Sequence, residues 1–137
     1  MTDRKALLEL GDRCEREEPS RELDEAIALA CGWESHKAAW GLVWWRKIGA
    51  PDWEMSCPRF TTSLDSAATL VPPNSWRETN GPRKYIHIPS PAPNFWRCEI
   101  TTWEGTARDH IGWAKSEAMA ICAAALRALA SQEKKDE

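Results

Sequence analysis

The sequence predicts an α+β protein in which helices pack on an antiparallel β-sheet. Three observations predict this class: apolar residues at helical spacing near both ends of the chain, strand-like segments between them, and turn or cap residues at the boundaries. The predicted order of elements is α-α-β-hairpin-α-β-β-β-α. If the two N-terminal helices cover the far face of the sheet, the result is a three-layer α/β/α sandwich. We expect one domain over residues 1–131 and a polar tail over residues 132–137.

The first two elements are predicted to be short helices joined by a tight turn. An apolar i, i+3, i+7 stripe predicts a helix over residues 3–17. Ser20 can cap a second helix over residues 21–31, because its side-chain oxygen can accept a hydrogen bond from a free backbone N–H. Gly32 suits the end of that helix, since glycine enters the left-handed region without a steric cost.

The second half of the chain is predicted to hold a short helix, a β-meander and a final helix. Thr62 and Asp65 have the spacing of a capping box, which predicts a helix over residues 63–71. Asn80-Gly81 is a strong hairpin signal. The predicted strands are residues 76–79, 84–88 and 95–103, and the predicted last helix is residues 116–130.

Composition and charge exclude several classes of function. A net charge of −3 argues against a protein whose affinity rests on neutralising phosphates. No apolar run approaches the roughly 20 residues that a membrane-spanning helix needs, and the charged N-terminus predicts no signal peptide. The five cysteines form no Cys-x-x-Cys pair, so we expect reduced thiols, no metal, no cofactor and a cytoplasmic location.

Catalysis finds little support among the residues. The sequence lacks Gly-x-Ser-x-Gly, His-Glu-x-x-His, a P-loop and Gly-x-Gly-x-x-Gly, and its three histidines, His36, His87 and His110, are far apart. Cys98 and His87 lie on neighbouring predicted strands, but strand alternation places them on opposite faces. We therefore expect a protein that is not an enzyme.

Tryptophan is unusually frequent in this chain, with nine residues compared with one tyrosine and two phenylalanines. Five of the nine lie in residues 33–57, a stretch predicted to form a short β-hairpin or an ordered loop. Trp44 and Trp45 cannot both point inward on a strand, so one of them is expected on an exposed face near Arg46. An exposed indole beside an arginine is typical of a binding hot spot and of a pocket for a planar ligand. The predicted partner- or ligand-binding residues are Trp33, His36, Trp40, Trp44, Trp45, Arg46 and Trp53.

One face of the predicted meander is a second candidate surface. It carries Tyr85, His87, Arg97, Glu99 and Trp103. The plainer interpretation is a polar face beneath the N-terminal helices, with Arg97 paired to Glu99.

Two segments resemble the phage ABA-sandwich domain family. They are residues 58–72 (PRFTTSLDSAATLVP) and residues 118–128 (AMAICAAALRA), and the stretch 23–33 fits the family's helix ending in Gly-Trp. The Trp-rich stretch 33–57 and the Pro-rich stretch 89–93 depart from the family pattern. The resemblance implies an α/β/α layering and a small protein encoded by a bacteriophage or prophage, in a family without an assigned activity.

These observations lead to a first hypothesis and two alternatives. The first is a non-enzymatic phage or prophage accessory protein that binds a host or phage protein through residues 33–57; by analogy, one form is an anti-CRISPR-like inhibitor of host defence. The alternative is a small-molecule binder that holds a nucleotide-like ligand between indoles and arginines. The second alternative is an RNA-binding module, although only Lys115 stands where such modules cluster lysines. No membrane partner is expected, and a homodimer is left open.

Overall fold

The computed structural model describes residues 3–81 and 95–133 of the chain. Within them the elements are α1 (Arg4–Arg16), α2 (Arg21–Ala30), β1 (Trp33–Lys37), a 3-10 turn (Ala39–Gly41), β2 (Val43–Lys47), α3 (Leu64–Ala68), β3 (Trp76–Asn80), β4 (Trp96–Glu104), β5 (Thr106–Ala114) and α4 (Glu117–Glu133). The α+β class and the order α-α-β-hairpin-α-β-β-β-α are confirmed. No helix in this part of the chain has the length and apolarity to cross a membrane.

Helices α1 and α2 begin at the caps that their sequences provide. The Asp3 carboxylate accepts a hydrogen bond from the Lys5 backbone N–H at 3.0 Å, and the Ser20 hydroxyl accepts one from Leu23 at 3.0 Å. Each bond satisfies an amide that has no partner inside the helix. Gly32 follows α2 with a φ of 90°, as its position predicted.

Helix α3 is shorter than predicted and starts one residue later. Its N-cap is Ser63, whose hydroxyl accepts a hydrogen bond from Ser66 N–H at 3.2 Å, so the capping box assigned to Thr62 and Asp65 is wrong. The segment before α3 is fixed to α2 by a buried contact instead. The Thr61 backbone N–H and hydroxyl both donate to the Asp24 carboxylate, at 2.8 and 2.7 Å.

Strands β3, β4 and β5 form an antiparallel sheet in that order. Its third strand is β5, which lies in a stretch for which no helix or strand was predicted. Gly105, with a φ of 85°, joins β4 to β5 in a tight hairpin. The predicted strand 84–88 and the Pro-rich connection 89–93 lie outside the described residues.

Helix α4 packs against both the sheet and α1. On the sheet side, a Cβ added to Gly112 would sit 2.5 Å from the Ala120 carbonyl oxygen, so the two backbones are in direct contact. Gly11 of α1 also approaches α4, at the Ala123 carbonyl and the Arg127 side chain, where an added Cβ would lie at 3.4 Å. Because α4 is apolar all round, it needs cover on both sides. Helix α1 packs on α4 and also contacts β5, so the helices and the antiparallel sheet form an α+β sandwich, as predicted.

Arg127 of α4 links three elements through one guanidinium group. It donates hydrogen bonds to the Glu15 and Asp12 carboxylates of α1 at 2.7–2.8 Å and to the Ile111 carbonyl of β5 at 2.7 Å. Glu15 also accepts the Trp113 backbone N–H at 2.8 Å. The two carboxylates, Glu15 first, raise the pKa of Arg127 above its ordinary value. Helix α4 runs on to Glu133, so the predicted tail starts inside the helix, and residues 134–137 lie outside the described part.

Candidate binding surface on the hairpin

Strands β1 and β2 form an antiparallel hairpin with two different faces. Glu34 pairs with Arg46 and His36 pairs with Trp44 in the register, so these four side chains share one face. We call this face, together with Trp53, the outer face. The inner face carries the alternate residues Trp33, Trp45 and Lys47.

The chain after β2 turns back and adds a short third segment to the hairpin. Gly49 makes the turn with a φ of 94°. The Trp45 N–H donates to the Glu54 carbonyl at 2.8 Å, and the Glu54 N–H donates to the Trp45 carbonyl at 2.6 Å. This bridge fixes residue 53 beside β2 and brings the Trp53 indole onto the outer face.

The outer face combines an ion pair with stacked rings. The Arg46 guanidinium lies 4.2 Å from the centroid of the Trp53 ring, a cation–π contact. Both Nε, at 2.8 Å, and Nη2 of Arg46 donate to the same Glu34 carboxylate oxygen. The His36 ring lies 5.9 Å from the Trp53 ring at a 52° tilt. Next to them His36, Trp44 and Trp53 line a shallow groove of about 270 Å³.

The tip of the hairpin exposes a tryptophan almost completely. Trp40 is 97% exposed and has a φ of 69°, in the left-handed region that non-glycine residues seldom occupy. The tip is closed by the Ala38 N–H, which donates to the Leu42 carbonyl at 2.7 Å. Exposed large apolar side chains gather in this segment more than elsewhere in the described residues. They are Trp40, Leu42, Val43, Ile48, Trp53 and Met55.

The structure brings most of the predicted site residues together and separates two of them. His36, Trp44, Arg46 and Trp53 form the outer face, and Trp40 stands at the tip. The prediction is wrong for Trp45, which is 3% exposed and belongs to the core, so a partner cannot reach its ring. Trp33 is half-buried on the inner face. Trp44 and Trp45 do face opposite sides, as strand alternation predicted.

Sequence reasoning missed Glu34 and several exposed apolar residues of this segment. Glu34 accepts hydrogen bonds from the Arg46 guanidinium. Its position could have been found from strand alternation, because Glu34 and His36 lie on the same face of β1 as Trp44 and Arg46 do of β2. The sequence alone does not show this contact, because it depends on which residues of β1 and β2 pair with each other. Leu42, Ile48 and Met55 carried no signal of exposure.

The sheet face opposite α4 remains the second candidate surface. Arg97 and Glu99 pair at 3.0 Å, as predicted, and the Arg97 guanidinium lies 5.8 Å from the Trp113 ring. Trp103 on this face is 59% exposed and Trp76 is 64% exposed. Tyr85 and His87, which were predicted for this face, lie outside the described residues.

The cysteines are free and poorly suited to nucleophilic chemistry. Cys14, Cys57, Cys98 and Cys122 are buried, and Cys31 is half-buried. Burial raises the pKa of Cys98 to about 11 and that of Cys57 to about 12, so both thiols stay protonated near neutral pH. Within residues 3–81 and 95–133, no three His, Cys, Asp or Glu side chains form a group that could hold a metal ion.

The fold and the hairpin define an α+β protein with an exposed aromatic surface. No family model, curated protein or solved structure matches the chain. Membership of the phage ABA-sandwich family therefore stays a prediction from the two segments that resemble it.

Proposed function

We propose that this chain is a non-enzymatic phage or prophage accessory protein that binds a host or phage protein in the bacterial cytoplasm. The outer face and the tip of the hairpin are its binding surface. The observation that carries the proposal is Trp40, with its exposed indole and its positive φ. Leaving an indole in water and holding it in the left-handed region both cost free energy, and a protein partner that buries the ring would offset the first cost.

The shape of the surface favours a macromolecule over a small ligand. Almost no atom of the chain covers Trp40, so its ring cannot be the wall of a closed pocket. The groove on the outer face holds about 270 Å³, at the lower limit of ordinary small-molecule sites. Tryptophan and arginine are the residue types that dominate binding energy in protein interfaces, and Trp53 and Arg46 lie in contact here.

The resemblance supports the phage origin and the choice of partner. Small acidic phage proteins include inhibitors of host defence, so by analogy a host-defence protein is the partner class that we favour. The chain has a net charge of −3, so it is acidic as those inhibitors are.

A nucleotide-like planar ligand is the second candidate, and the groove between His36, Trp44 and Trp53 is the observation that favours it. RNA binding has less support. The Lys115 ammonium is held by Glu18 at 2.8 Å, and the Arg97 guanidinium is held by Glu99. Charges that are already paired neutralise phosphates less readily.

The proposal is tested by comparing affinity capture from bacterial lysate with wild-type chain, Trp40→Ala and Trp103→Ala. Trp103 is the matched control because it is also an exposed tryptophan but lies on the sheet. We expect one protein that the wild type and Trp103→Ala retain, and that Trp40→Ala retains at least about tenfold less, since a hot-spot tryptophan contributes about 2 kcal/mol or more.

Two results would contradict the proposal. Equal capture by all three forms would remove the hairpin from the interface. A dimer in sedimentation that Trp40→Ala abolishes would make a second copy of the chain the partner.

A further inference from the structure

A cleft of about 560 Å³ lies on the other side of the hairpin, between its inner face, α3 and α4. Trp33 and Lys47, which are cross-strand neighbours in β1 and β2, line its hairpin side together with Glu54. Thr69 and Leu129 line the opposite side. The volume is within the range of small-molecule sites and about twice that of the groove on the outer face.

Two opposite charges line this cleft without a partner. Neither the Lys47 ammonium nor the Glu54 carboxylate makes a side-chain hydrogen bond or an ion pair within the described residues, and they do not pair with each other. On the outer face, by contrast, Arg46 forms an ion pair with Glu34. Burial raises the pKa of Cys31, which also lines the cleft, to about 12, so its thiol offers no further charge.

The remaining lining is apolar or hydroxylic. The Trp33 indole, Leu70, Val71 and Leu129 offer apolar surface, and the Ser66 and Thr69 hydroxyls lie among them. A phosphate dianion would meet one cation and a repelling carboxylate. A ligand with one carboxylate, one amine and an apolar body would satisfy both charges and cover the apolar lining.

We propose that the cleft binds a small zwitterion with an apolar side chain, an amino acid or dipeptide, with its carboxylate on Lys47 and its amine on Glu54. The site is independent of the proposed function, because it uses the opposite face of the hairpin. Each proposal can therefore fail without the other.

The test is calorimetric titration of the chain with leucyl-leucine, its N-acetyl form and its C-terminal amide. We expect saturable binding of the free dipeptide only. Lys47→Met and Glu54→Gln should each weaken it about tenfold or more, the loss expected for one charge-assisted hydrogen bond. Lys37→Met is the matched control, because Lys37 is an exposed lysine of the same hairpin away from the cleft. It should bind as the wild type does.

A second variant and a second measurement keep the test independent of folding. Thr69→Phe places a ring in the cleft from an exposed position and should abolish binding while thermal unfolding stays near the wild-type temperature. In a ¹⁵N correlation spectrum the Trp33 indole signal, assigned with Trp33→Phe, should shift on titration and the Trp40 signal should not. Equal affinity of the blocked dipeptides, unchanged affinity of Lys47→Met, or no binding at all would overturn the proposal.

Discussion

Helix α4 and the β1–β2 hairpin use their apolar residues in opposite ways. In α4, Ala120, Ala123 and Ala124 are fully buried where the helix packs on β5, because small side chains let neighbouring backbones approach. The hairpin and the segment after it carry five of the nine tryptophans, of which only Trp45 is buried. The largest fully buried side chain described is Phe60.

The comparison separates the residues that stabilise the fold from those available for binding. A count of indoles suggests a core filled by tryptophan, yet the described core is built mainly from alanine, leucine, isoleucine, cysteine and methionine, with Phe60 and Trp45 as its aromatic members. Substitutions around α4 should therefore change the free energy of unfolding. Substitutions on the outer face and tip should change binding with little effect on folding.

Trp45→Ala is expected to have the largest effect on stability, because Trp45 is the one indole of the hairpin that belongs to the core. Truncating a buried aromatic side chain typically costs about 3–5 kcal/mol. Trp44→Ala, from the half-buried outer face, should cost about 1 kcal/mol. Urea unfolding of the two variants measures the difference. Equal losses would show that the hairpin does not have distinct inner and outer faces.

Gly112→Ala is expected to have the next largest effect, about 1–3 kcal/mol of lost stability. The added methyl group would lie 2.5 Å from the Ala120 carbonyl oxygen and 2.7 Å from the Ala124 nitrogen, so β5 and α4 would have to move apart. Gly11→Ala is the matched control, because Gly11 of α1 also approaches α4 but less closely.

A Cβ at Gly11 would lie 3.4 Å from its nearest neighbours, and alanine favours a helix over glycine by about 0.5–1 kcal/mol. That variant should be neutral or slightly more stable than the wild type in urea unfolding. If Gly11→Ala lost much stability and Gly112→Ala lost none, α4 would pack more tightly against α1 than against β5, contrary to the distances given above.

The sequence predicted the features that depend on neighbouring residues. Asp3 and Ser20 cap their helices, and Trp44 and Trp45 alternate, because caps and strand alternation act over a few positions. Strand β5 was missed because residues 106–109 are all exposed, include no large apolar side chain and show no alternation. Its place in the sheet depends on its pairing with β4 and on the contact of Gly112 with α4.

Long-range packing determines which tryptophan of the pair Trp44 and Trp45 is exposed, a choice that the sequence left open. Alternation showed that one of Trp44 and Trp45 must face outward, but the core that buries Trp45 comes from distant parts of the chain. The alanines of α4 are equally compatible with one buried side or with two. The contacts of α4 with α1, with α3 and with the sheet distinguish those cases.

Trp40→Gly is expected to have a small effect of the opposite sign, a gain in stability. Glycine occupies the left-handed region without the cost of about 1–2 kcal/mol that other residues bear, and part of this gain is lost to the greater freedom of glycine in the unfolded chain. The free energy of unfolding should therefore rise by up to about 1 kcal/mol. Trp40→Ala should leave it within about 0.5 kcal/mol of the wild type, since the ring contacts little of the chain.

The pair of Trp40 variants tests the central observation directly. If Trp40→Ala lost more than about 1 kcal/mol in urea unfolding, the indole would be packing against the chain in solution. Its exposure could then no longer support a binding surface. If Trp40→Gly is the more stable form and also loses the captured partner, the wild-type residue reduces stability while it enables binding. That combination is expected of a side chain retained for an interface and not for the fold.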